Sequence, residues 1–312
     1  MRICSLLPSA TEIVCALGLE DSLVGISHEC DYPPTVRSKP ALIRPRVDPT
    51  APAAEIDRQV RELIARGESI YSVDADLLLA LAPDLILTQD LCHVCAASPD
   101  DLATALSRAV RQPRVLSLNP HTLHDVWNDI RAVGEATGRQ REAEEVVHGL
   151  EQRVARVSGA ARPLAGPRPR VVCLEWLSPL YVGGHWVPEM VEIAGGMDPI
   201  GRVGEPSFAI TWERLLEAQP EAVVIMPCGY GQEKAAQEFA ALELPGEWAS
   251  LPAVRDGRVF AVDANSYFSR PGPRLADGVE LLARILSPHP PGAGMAALSV
   301  PPEALAICPK SP

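Results

Sequence analysis

The chain reads as an α/β protein of two Rossmann-like lobes joined by a long backbone α-helix, with a ligand cleft expected between the lobes. Three observations predict this. Short apolar strands alternate with helical segments, the pattern of a parallel sheet. One helix–turn–strand unit occurs twice: 74–88 aligns without gaps on 211–225, each with a Pro-acid turn (Pro83-Asp84 and Pro220-Glu221) before an apolar strand. Between the copies, Leu123, Val126, Ile130 and Val133 and then Val147, Leu150, Val154 and Val157 keep helical spacing.

In chain order, Ile3 to Leu7 is a first strand that Pro8 breaks. Ser9 to Glu12 has the S-x-x-E form of a capping box and opens a helix that Gly18 stops. A second strand spans Leu23 to Ser27, Asp74 to Ala82 is helical, and Leu85 to Thr88 is again a strand. Thr122 with Asp125 makes a capped start for the central helix. Unbroken, its roughly 36 residues would reach about 54 Å, enough to bridge two lobes. Gly134 and Gly138 are the alternative, splitting or bending it. In the second lobe Arg170 to Leu174 repeats the first strand and 189–195 the first helix, with about nine extra residues between strand and helix. The expected divisions are a first lobe over 1–121, a linking helix over 122–160, a second lobe over 161–287, and a disordered Pro-rich tail over 288–312.

Composition narrows the function. The 312 residues carry a net charge of −12, which argues against a nucleic-acid surface. No apolar run is long enough to span a membrane. The chain opens directly on its first strand, so a cytoplasmic protein is expected as written, and a periplasmic or cell-surface one if translation starts further upstream. Eight cysteines are too few for a disulfide scaffold. Cys4, Cys15 and Cys173 lie in apolar runs as small core residues, and Cys308 lies in the tail.

Ligands of parallel sheets gather at the carboxyl ends of strands. Here those ends carry 28–32, 89–95, 175–186, 227–231 and 265–270. His28, Cys30, Cys92, His93 and Cys95 fall on two such loops of the first lobe, and imidazole and thiolate suit Zn or another thiophilic metal. Cys92-x-x-Cys95 equally fits a redox motif, or thiols with no task. Cys228 is on a second-lobe loop. Trp176, Tyr181 and Trp186 form either an apolar ligand wall or aromatic core. His121, His124 and His148 read as solvated. Phosphate-loop, nucleophile-elbow and H-E-x-x-H motifs are absent, so no enzyme is expected.

Ser5-Leu-Leu-Pro-Ser-Ala-Thr-Glu-Ile-Val-Cys-Ala-Leu-Gly, Cys30-Asp-Tyr-Pro-Pro, Leu81-Ala-Pro-Asp-Leu-Ile-Leu and Glu192-Ile-Ala-Gly-Gly resemble the ABC-importer substrate-binding proteins for vitamin B12 and ferric siderophores. The B12-binding branch is nearest, and the likeness runs over about 2–287. It implies a non-enzymatic, monomeric carrier that holds cobalamin, another corrinoid or an iron chelate between its lobes. By position it implies Glu29, Arg44, Gln89 and Asp90 as ligand residues of the first lobe, and Trp176, Phe268 and Arg270 of the second. It also implies Asp76 and Glu213 as acids that dock on an ABC permease. Glu29 and Gln89 stand where aromatics commonly line the B12 cleft. Three functions follow: a corrinoid carrier in the cytoplasm, with His28, Cys30 or Cys92 near the cobalt; a metal or thiol-redox protein; or a conventional importer component.

Overall fold

A computed structural model describes residues 1–89, 99–161, 167–287 and 297–299. The chain divides into two compact units, Met1–Pro120 with His124–Gly149, and His121–Leu123 with Leu150–Pro312.

The first unit runs β1 (Ile3–Ser5), α1 (Pro8–Ala16), β2 (Leu23–Ser27), β3 (Ala41–Pro45), α2 (Ala53–Ala65), β4 (Tyr71–Val73), α3 (Ala75–Leu81), β5 (Leu85–Thr88), α4 (Pro99–Leu106) and β6 (Arg114–Ser117). Its sheet has the order β4-β3-β2-β1-β5-β6 and is parallel except for the edge strand β4. The central strands β1 and β5 are wholly buried, as strands with covered faces must be. Cys4, Leu42, Ile43, Leu78 and Ile86 share one core with Leu102 and Leu106 of α4. The capping box does not form. α1 begins two residues earlier than that box implies, at Pro8, which has no N–H to satisfy; Leu7 is the N-cap, without a side-chain cap. Ser9 and Glu12 are buried instead.

The helix expected over 122–160 is two helices, α5 (Leu123–Thr137) and α6 (Gln140–Ala161). Gly138 takes the left-handed region at φ +72 and ends α5. Gly134 makes the turn possible: a Cβ there would stand 2.5 Å from the Cβ of Ala143 and 3.0 Å from the carbonyl of Arg139. Arg131 of α5 then reaches Glu144 of α6 at 3.1 Å. α6 continues from the first unit into the second, where Arg153 binds both Glu280 (2.9 Å) and Asp277. Arg153→Ala should cost about 1–3 kcal/mol, the range for hydrogen bonds to charged groups, seen as a lower urea midpoint at unchanged slope.

The second unit adds β7 (Val171–Leu177), β8 (Leu180–Val182), α7 (Val187–Ile193), β9 (Phe208–Ala209), α8 (Trp212–Glu217), β10 (Ala222–Ile225), α9 (Gln232–Ala240), α10 (Pro252–Arg255), β11 (Val259–Val262), α11 (Ala264–Tyr267), α12 (Leu275–Leu286) and β12 (Ala297–Ser299). Its order is β12-β11-β10-β7-β8-β9. Only β7, β10 and β11 are mutually parallel; β8, β9 and β12 pair antiparallel, so this sheet is mixed where a parallel one was expected. The extra residues after β7 are the cause, since they fold back as β8. The tail also departs from expectation, because Ala297–Ser299 pairs with β11 instead of being disordered. Alternating Ala-Leu-Ser is short, but it meets an open strand edge.

The internal repeat is visible at the level of single hydrogen bonds. Asp74 and Thr211 cap α3 and α8 by accepting from the N–H of Leu77 (3.0 Å) and Arg214 (3.3 Å). Ala82 and Gln219 then enter the left-handed region at φ 43 and φ 46. The acid of each Pro-acid turn accepts from the backbone N–H of the arginine immediately before a strand: Asp84 from Arg2 (2.9 Å), Glu221 from Arg170 (3.0 Å).

Candidate functional site

In the first unit the strand-end residues do not act alike. β2 ends at Ser27, and the next two residues, His28 and Glu29, are exposed. Their side chains stand 3.9 Å apart, and the His28 ring lies 5.8 Å from that of Tyr71. Cys30 turns inward: it is 3% exposed, and its Sγ sits 3.0 Å from the hydroxyl of Thr11 on α1. A thiol held there packs against α1 and does not share the exposed surface of His28 and Glu29. Gln89, directly after β5, is buried, and Arg44 is exposed on β3 beside β4. Asp90, Cys92, His93 and Cys95 lie outside the described residues. Among the described residues no three His, Cys, Asp or Glu side chains converge as a metal site.

Cys4 and Cys173 are core residues as expected, whereas Cys15 is only half-buried, and all three thiols are poor nucleophiles. Burial pushes Cys4 up to about 12, against the weaker opposing effect of Arg2. Burial, then Glu20, pushes Cys15 to about 12 as well, and Cys173 is raised by burial and by Asp198. Cys228, after β10, is exposed.

The second unit assembles an aromatic group at the carboxyl ends of its parallel strands. Trp176, near the end of β7, is half-buried against the core and donates its Nε1 hydrogen to the Ser178 carbonyl at 3.2 Å. Tyr230, in the loop after β10, packs its ring 5.7 Å from that of Trp176, and Lys234 places its Nζ 4.0 Å from the Tyr230 centroid. Burial, reinforced by Glu238, moves the Tyr230 phenol up to about 12. Its hydroxyl is buried without a protein partner among the described residues. Of the 175–186 aromatics, Trp186 is core and Trp176 is half-buried. Phe268 is enclosed in protein at 1% exposure, and its carbonyl accepts from Trp186 Nε1 at 2.8 Å. It therefore anchors this region rather than presenting a ring at a loop surface. Arg270 is half-buried two residues on.

Asp76 and Glu213 occupy the same position, two residues after the caps of α3 and α8, and both are exposed. Their settings differ. Asp76 is paired with Arg108 at 3.0 Å, whereas Glu213 is held below the usual carboxylate range by the Thr211 hydroxyl and by backbone N–H.

Sequence reasoning passed over His185 and Tyr230; His121, read as solvated, is exposed. His185 has φ +51 and lies 5.6 Å from the His121 ring. The signals available were small: a histidine after Gly183-Gly184, and a lone tyrosine between two glycines.

Two α/β units joined through α6, with aromatic and charged side chains at strand ends, are the architecture of a solute-binding protein. Residues 3–266 match the periplasmic binding protein family, and the chain belongs to that family. It is 26% identical to the ABC transporter substrate-binding lipoprotein YvrC of Bacillus subtilis over 92% of this chain and 80% of that protein. It is 25% identical to a vitamin B12-binding protein of Vibrio cholerae over 91% and 88%. Among solved structures, a periplasmic heme-binding protein of Pseudomonas aeruginosa superposes with a TM-score of 0.71 at 23% identity, over 95% and 96% of the two chains. The periplasmic vitamin B12-binding protein BtuF of Vibrio cholerae does so with a TM-score of 0.62 at 22% identity, over 91% and 96%. At these identities the structures speak for the fold alone.

Proposed function

We propose that this protein binds a corrinoid, cobalamin or a close relative, without chemical turnover, as the solute-binding component of an ABC importer. The observation that carries the reading is Trp176 at the carboxyl end of β7, a half-buried indole backed by the buried Tyr230 ring 5.7 Å away and suited to packing on a large apolar ligand. Glu29, Arg44 and Gln89 are the matching polar candidates of the first unit, and Arg270 of the second. The B12-binding relatives support a corrinoid. Relatives named as a lipoprotein and as periplasmic proteins support a setting outside the cytoplasm, in place of the cytoplasmic one expected above. No helix among the described residues is long and apolar enough to cross a membrane. Asp76 and Glu213 are the surface acids we assign to a permease partner.

Titration with hydroxocobalamin, followed by the corrin absorption bands and by heat, tests this. Saturable binding that weakens about 10- to 100-fold in Trp176→Ala is expected. Hemin is the parallel titrant, because heme-binding proteins share the fold. Saturation by hemin with no corrin band shift would replace the corrinoid with an iron chelate, and no response to either would remove the reading.

A further inference from the structure

His121 and His185 come from segments far apart in sequence, yet both belong to the second unit. His185 follows β8 and precedes α7, and its conformation is dictated from both sides. Its N–H donates to the Glu205 carbonyl at 2.6 Å, and its carbonyl accepts from the Gly204 N–H at 2.9 Å. Gly184 admits no side chain, since a Cβ would stand 2.2 Å from the Ser207 nitrogen. The loop thus holds His185 at φ +51, a region few residue types enter without strain, and fixes where its ring projects. One side of that ring packs on Trp186, with centroids 5.5 Å apart and planes 31° apart. The His121 ring lies 5.6 Å away at 42°.

This separation is near that of two imidazoles on one ion. With metal–nitrogen bonds of about 2.0–2.1 Å, the centroids of two rings on a tetrahedral ion fall about 5 Å apart. We propose that His121 and His185 chelate a divalent late transition-metal ion, the type for which imidazole is a good donor. Two protein ligands leave the remaining positions to water, so this is an open, exchangeable site. It is separate from the corrinoid reading, and its test needs no corrinoid.

The probes are Ni²⁺, titrated by calorimetry, and Cu²⁺, followed by electron paramagnetic resonance, on protein whose thiols have been alkylated. One saturable site with hyperfine splitting from two nitrogens is expected. His185→Asn keeps a residue that tolerates the left-handed backbone, and His121→Ala removes the second ring. Each should weaken binding at least ten-fold, with little further loss in the double variant, because a chelate is broken by either change. His148→Ala, an exposed histidine on α6, should bind as wild type. His185→Gly, which suits φ +51 without strain, decides the matter if His185→Asn loses thermal stability. Variants that bind like wild type, splitting from a single nitrogen, or no saturable site would each overturn the proposal.

Discussion

Truncating Trp248 to alanine should lower the stability of the second unit by about 3–5 kcal/mol, the range for deleting a large buried aromatic. The indole is 1% exposed, with the Phe239 ring at 5.5 Å and the Trp212 ring edge-on at 5.8 Å. α8, α9 and the turn after α9 meet there, so the cavity would lie where three segments share one filler. Trp248→Phe should behave quite differently. Its Nε1 hydrogen is buried without a protein acceptor among the described residues, and an unmade bond of that kind costs about 1–3 kcal/mol. Phenylalanine loses some packing but removes that donor, so a stability within about 1 kcal/mol of wild type is expected. Urea unfolding followed by tryptophan fluorescence reads both variants. Similar losses in the two would show that the ring's size, and not its unsatisfied donor, governs the site.

Asp129→Asn should stabilise the protein at alkaline pH and change little in acid. Burial, and secondarily the like charge of Asp125 one helical turn earlier on α5, raise the Asp129 carboxyl to about 7. An unfolded aspartate titrates near 3.9. Between those values the folded chain holds a proton that the unfolded chain has released, so stability falls as pH rises through that window. Asparagine has no such proton to lose. Its advantage grows from nothing below about pH 4 to a plateau above pH 7. A tenfold difference in proton affinity between folded and unfolded chains corresponds to about 1.4 kcal/mol. Discounted for solvent around a half-buried group, the plateau is about 1–3 kcal/mol. Urea midpoints at pH 4 and pH 8.5 check it. An equal gain at both values would mean that packing, not ionisation, distinguishes the side chains.

How far the residues foretold this structure depends on the scale of the signal. β2 and β5 fall on the apolar runs Leu23 to Ser27 and Leu85 to Thr88, with Asp21-Ser22 and Pro83-Asp84 bounding them on the N-terminal side. The two units follow from the matched 74–88 and 211–225 segments, whose capping residues and Pro-acid turns carry local instructions. The break between α5 and α6 was half-legible: Gly134 and Gly138 marked the place, but only the approach of Ala143 decides for a turn over a bend. The mixed second sheet was not legible, since residues inserted after a strand do not announce whether they will loop or pair. Among candidate site residues, the half-exposed place of Trp176 near a strand end could be read from its neighbours. The burial of Cys30 and Phe268 could not, because a polar or loop-like sequence says nothing of what packs above it. The His121–His185 contact is a product of tertiary structure alone, and no spacing in one chain segment encodes it.

Ala82 and Gln219 bear on the protein's history. Each ends a helix in a conformation that glycine adopts freely and other residues adopt at a cost. Two units reaching this fold separately would each have been free to place glycine there. Instead both keep a non-glycine residue at the same step of the same turn, next to an arginine–acid clasp with the same wiring. A shared imperfection is better evidence of descent than a shared solution. Duplication of one helix–turn–strand segment accounts for both the strained residue and the clasp at 74–88 and 211–225.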